Sequence, residues 1–130
     1  MPRYHFSKTV TCSFDEAIDK VTRSLKESGF GVLTSINVQG ALKEKIGVDF
    51  RPYTILGACN PHLANEALAV EDKIGTMLPC NVVVQKHEDG RIEVSAVDPL
   101  ASMIAIENVG LESVALKARP LLKAAIDRVA

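Results

Sequence analysis

The chain has 130 residues, the length of one domain spanning 1–130 whose core needs neither a metal nor a disulfide. Hydrophobic residues make up 47% and charged residues 24%, a balance that excludes a disordered chain. Fifteen Lys and Arg against sixteen Asp and Glu leave a net charge of −1, which argues against a nucleic-acid or anionic-membrane partner.

No apolar run approaches the roughly 18 residues a bilayer span needs. The opening MPRYHFSKTV lacks the apolar stretch of a signal peptide. Three cysteines are an odd count for a disulfide scaffold. Together these features point to a cytoplasmic domain with free thiols.

Residues 3–11 read as a strand, with Tyr4, Phe6, Lys8 and Val10 on one face and His5, Ser7 and Thr9 on the other. Ser13 and Glu16 have capping-box spacing and open a helix. Phe14, Ala17, Ile18, Val21 and Leu25 form its apolar stripe, and Gly29 suits the left-handed residue at its end. A second strand covers 30–37. Val38, Leu42 and Ile46, four apart, favour a short helix that Gly47 stops.

Phe50 to Cys59 reads as a third strand, and Asn60-Pro61 as a cap and first helical residue. Leu63, Ala64, Ala67 and Leu68 make the expected buried face of the helix that follows. Residues 71–80 form a turn or short helical piece. Asn81–His87 and Arg91–Val97 are strands joined at Glu88-Asp89-Gly90 as a hairpin. Asp98-Pro99 starts a short helix to about Ile104, and a last helix covers 111–129. Its face is Leu111, Val114, Ala115, Ala118, Leu122, Ala125, Ile126 and Val129. Pro120 lies inside that helix, where it costs about 3 kcal/mol or forces a kink. The β-α-β-α-β-α-β-β-α order predicts an α+β fold: two layers, with a mainly antiparallel five-stranded sheet packed against helices.

The sequence has no Gly-rich phosphate loop, no CxxC pair, no HExxH and no nucleophile elbow, so no cofactor and no metal framework is expected. The informative pair is Cys59 and Cys80. Cys59 precedes a helix N-terminus, whose dipole favours thiolate, and Cys80 sits just before a strand. His62 lies at metal-ligand spacing from Cys59, a pairing for which softness favours Cu(I) or Zn(II). Buried cysteines more often pack as small hydrophobes, and that reading competes with both. Cys12 reads as packing and His87 as solvated. His5 lies on a polar strand face. Asn60, Asn81 and Asp98 read as backbone caps. Arg51 and Tyr53, on the strand leading to Cys59, are the better polar candidates.

The run Arg51-Pro52-Tyr53-Thr54-Ile55-Leu56-Gly57-Ala58-Cys59-Asn60-Pro61, then Ile74-Gly75 and Met77-Leu78-Pro79-Cys80-Asn81-Val82-Val83-Val84, and then Val97-Asp98-Pro99, resembles a known pattern. It is similar to the bacterial and archaeal domain-of-unknown-function family numbered 302. The resemblance implies a small α+β domain that associates as a homodimer. It implies no catalytic residue, because no activity is established for that family. Cys59 and Cys80 match its cysteine-bearing motifs.

Two functions follow as expectations. The first is a binding module for a small ligand, metal or protein partner near the Cys59 and Cys80 segments. Its site candidates are Cys59, Cys80, Asn60, Asn81, Tyr53 and Arg51. The second is a thiol-based redox protein with Cys59 as thiolate and Cys80 as resolving thiol.

Overall fold

The computed structural model describes residues 3–130. Five strands form one sheet: β1 (His5–Val10), β2 (Gly31–Asn37), β3 (Tyr53–Cys59), β4 (Cys80–Lys86) and β5 (Ile92–Val97). Their order is β1-β5-β4-β3-β2, and every neighbouring pair is antiparallel. Five α-helices accompany the sheet: α1 (Phe14–Glu27), α2 (Val38–Ile46), α3 (Pro61–Val70), α4 (Pro99–Met103) and α5 (Val109–Asp127). The expected two-layer α+β architecture is the one observed.

Alternation along the strands sorts the layers. Leu56 and Ala58 of β3, Val82 and Val84 of β4, and Val94 and Ala96 of β5 are buried on one face. Ala17, Val21 and Leu25 of α1 and Ala118, Leu122, Ala125 and Ile126 of α5 pack onto them. Burying each such Val, Leu or Ile side chain stabilises the fold by about 1.5–3 kcal/mol. A second cluster gathers Ala67, Ile74, Met103, Leu111 and Val114 where α3, α4 and α5 meet. The opposite sheet face carries Tyr53, Ile55, Val83, Gln85, Glu93, Ser95 and Ser7, none of them fully buried.

The caps hold the layers in place. Ser13, Asn37, Asn60, Asp98 and Asn108 each accept a backbone N–H at the start of a helix. One half of the expected capping box forms, with Glu16 N donating to Ser13 Oγ at 3.2 Å, while the Glu16 carboxylate accepts from the Ser13 hydroxyl at 3.1 Å. Gly29 and Gly47 take left-handed backbone after α1 and at the end of α2, as their positions require.

Several boundaries shift for identifiable reasons. The second strand starts at Gly31, because Phe30 turns into the core. The third starts at Tyr53, after Pro52, which has no N–H and contributes only its carbonyl, to Lys86 N at 3.0 Å. Cys80 belongs to β4 instead of preceding it. The last helix begins at Val109 because Asn108 caps Leu111 N, leaving Gly110 in its first turn. That helix runs on through Pro120, which is exposed, so water can serve the carbonyl left without a donor. Leu68, expected on the buried face of α3, is 47% exposed; Ala67 makes that contact, with Leu63 and Ala64 half-buried beside it.

Candidate functional site

The six candidate residues divide between the two sides of the sheet. On the helix side, Cys80 opens β4 and pairs with Ala58 across the ladder, with Cys59 one residue on. Asn60 follows and caps α3, its Oδ1 accepting from Leu63 N at 3.2 Å. Cys59, Asn60 and Cys80 line a cavity of about 30 Å³ with Phe30, Leu63 and Met103. The cavity lies at the junction of the two hydrophobic clusters, and its other walls come from α3, α4 and α5.

Burial pushes the Cys80 thiol up to about 11, and the neighbouring Cys59 adds to the rise. Cys80 is therefore a protonated thiol near neutral pH. All three cysteines are free, and Cys12 packs against the main core. His62 is exposed on the first turn of α3 and does not line the cavity, so the Cys59–His62 pairing finds no support. Among the described residues, no group of three or more His, Cys, Asp or Glu could hold a metal ion.

The other candidates lie on the open face. Pairing places Tyr53 opposite Gln85 and Gln85 opposite Glu93. One step along, Ile55, Val83, Ser95 and Ser7 form the next row. A hollow of about 310 Å³ opens here, lined by Tyr53, Asn81, Gln85, Glu93, Ser95 and His5 among others. Arg51 does not line it but anchors its edge, because Nε donates to Gln85 Oε1 at 2.9 Å. The same guanidinium lies 4.5 Å from the Phe50 ring centre and 5.6 Å from that of Tyr53. With Oε1 taken, the Gln85 amide NH₂ remains as a donor.

Two expectations change here. Asn81 is an exposed residue within β4, opposite Gly57, and not a helix or turn cap. Its strand position gives it no free helical N–H to accept. His87 is half-buried, with Nε2 3.0 Å from Glu93 Oε1, because the hairpin folds it back over β5. His5 Nδ1 is 2.7 Å from Ser7 Oγ, and Ser7 Oγ is 2.7 Å from Ser95 Oγ, a polar chain running across β1 and β5 into the hollow.

Asp98 caps α4 as expected and has a second task. Arg119 Nε donates to both of its carboxylate oxygens, at 3.1 and 3.3 Å, tying α5 to the end of β5. Gln85, Glu93, Ser95 and Met103 line these cavities although the sequence reading did not single them out. Asn81 and Gln85 flank the Val82-Val83-Val84 run at the same strand parity and mark the open face, but nothing local marks Met103.

A two-layer domain with one helix-covered and one open sheet face is thus the class that the fold defines. The family profile described as "Domain of unknown function DUF302" matches residues 6–129, and the chain belongs to that family. It is similar to the crystal structure of an uncharacterized conserved DUF302 protein from Bacillus stearothermophilus. The two are 32% identical with a TM-score of 0.91, over 99% of this chain and 100% of that one. No curated protein matches the chain.

Proposed function

We propose that the chain is a binding module that takes a small polar molecule on its open sheet face, beside the Cys80–Asn81 segment. The observation that carries this reading is the hollow of about 310 Å³, where hydrogen-bonding side chains from four strands converge over an apolar floor. Ligand sites commonly occupy about 300–1,000 Å³ and combine apolar walls with a few placed polar groups. Val83 and Val97 supply floor, Tyr53 an aromatic wall, and Asn81, Gln85, Glu93 and Ser95 donors and acceptors. Arg51 fixes the Gln85 amide before any ligand arrives, which lowers the ordering cost of binding.

A thiol-redox role is the second reading, supported by Cys59 and Cys80 lining one cavity from neighbouring strands. The raised Cys80 thiol places it behind the first, since the thiolate is the reactive form. We further propose a cytoplasmic homodimer. Reduced thiols suit that compartment. A second copy would cover the exposed Leu33, Ile36 and Ile46 around β2 and α2.

Backbone amide NMR spectra during a screen of small polar fragments test the ligand reading. Binding there shifts the amides of Tyr53, Asn81, Gln85 and Ser95 together, and Gln85→Ala abolishes the response. Shifts confined to other surfaces would overturn it.

A further inference from the structure

We propose that Cys59, Cys80 and Met103 form a binding site for one Cu(I) ion in the cavity they share. Cys59, Cys80 and Met103 come from the end of β3, the start of β4 and the end of α4, and all three residues line the same void. No stretch of sequence brings them together. The fold does, by pairing Cys80 with Ala58, the residue before Cys59, and by bringing Met103 of α4 to the same cavity.

Size limits the occupant. About 30 Å³ is room for a single ion or one water, not for a molecule. A buried water needs two to four polar partners. The cavity offers it little: most of its walls are carbon, and the Asn60 Oδ1 already accepts from Leu63 N. A soft cation needs sulfur instead. Thiolate and thioether donors select Cu(I), while hard cations require oxygen. A closed zinc site would need a fourth ligand. The nearest histidine in sequence, His62, faces solvent from α3 and does not reach the cavity lining.

The chemistry balances without electron transfer. Cu(I) displaces one proton from each thiol, so two S–H bonds break and two Cu–S bonds form. The Met103 Sδ adds a lone pair and loses no proton, leaving a site of net charge −1. Both protons go to solvent. The apolar wall then shields the ion from water. This site lies on the helix side of the sheet, so its failure would leave the open-face reading untouched.

Anaerobic titration of the reduced full-length protein against Cu(I)-bicinchoninate tests the proposal. The wild-type chain withdraws one equivalent of copper. Cys59→Ser and Cys80→Ser each lose that uptake, and Cys12→Ser keeps it. Met103→Leu keeps the stoichiometry but weakens it by roughly tenfold or more, the scale on which metal sites respond to loss of a supporting group. X-ray absorption of the copper-loaded wild type shows a sulfur-only shell, a measurement that holds even if a variant does not fold. No uptake by the wild type, retained uptake in a folded Cys80→Ser, unchanged affinity in Met103→Leu, or a nitrogen or oxygen shell would each overturn the site.

Discussion

Cys80 stands directly across the β3–β4 ladder from Ala58, and this pairing turns its thiol into the helix-covered layer. Its ordinary value of 9.0 rises to about 11 there, first from burial and then from the neighbouring Cys59. The folded chain therefore holds the Cys80 proton through a range in which the unfolded chain has released it. That contribution is fully present below pH 9 and is lost as pH rises toward 11. The expected loss is on the order of 2 kcal/mol across that window. Urea unfolding at pH 8 and pH 10.5 measures it. Cys80→Ala should show a smaller drop than the wild type, and equal drops would refute the assignment to Cys80.

The Asp98–Arg119 pair joins β5 to α5, but its two ends differ in exposure, 9% at the Asp98 side chain and 45% at Arg119. Asp98→Ala removes both the ion pair and the cap on Leu100 N, so it should cost about 2 kcal/mol. Arg119→Ala removes the half-exposed partner together with its stacking over the Phe6 ring, and solvent screening holds the expected cost to about 1 kcal/mol. Asp98→Asn keeps the cap and should fall between them. Thermal melts of the three variants establish the ranking, and an Arg119→Ala loss exceeding that of Asp98→Ala contradicts it.

Local chemistry made much of this fold legible. Ser13, Asn60 and Asp98 announced helix starts because capping is settled within three residues. The long stripe from Leu111 to Val129 announced the face of α5: all eight of its residues are buried, although α5 ends at Asp127 and Val129 packs from beyond that end. The site was less legible because strand parity is a two-residue matter and strand pairing a long-range one. Cys80 and Asn81 are adjacent in sequence, yet alternation sends one to the sulfur cavity and the other to the open hollow. Arg51 reads as a neighbour of Cys59, whereas its partner is Gln85, thirty-four residues away. Met103 carried no signal, since a methionine in a short helix looks like any core filler.

Leu122 and Leu116 lie on different faces of α5, one fully buried over the sheet and the other 52% exposed. Leu122→Ala opens a void in the main cluster and should cost about 2–5 kcal/mol. Leu116→Ala leaves packing intact and should change stability by less than about 0.5 kcal/mol. Urea midpoints at fixed slope separate the two cases. Similar losses for both leucines would mean that α5 packs differently from the arrangement described.

The homodimer reading makes its own demand on β2 and α2. Leu33, Ile36 and Ile46 are 69%, 50% and 66% exposed, and α2 has no buried residue. A nine-residue helix is too short to be stable by propensity alone and depends on packing. The edge of β2 is also unpaired, which leaves backbone donors and acceptors open to a second strand. A charge at Ile36 should then split the dimer without unfolding the chain, because the side chain is already half in water. Sedimentation of Ile36→Glu should give a monomer with an unchanged circular dichroism spectrum, where the wild type gives a dimer. A dimer that survives both Ile36→Glu and Leu33→Glu would move the interface away from this edge, and a monomeric wild type would end the homodimer reading.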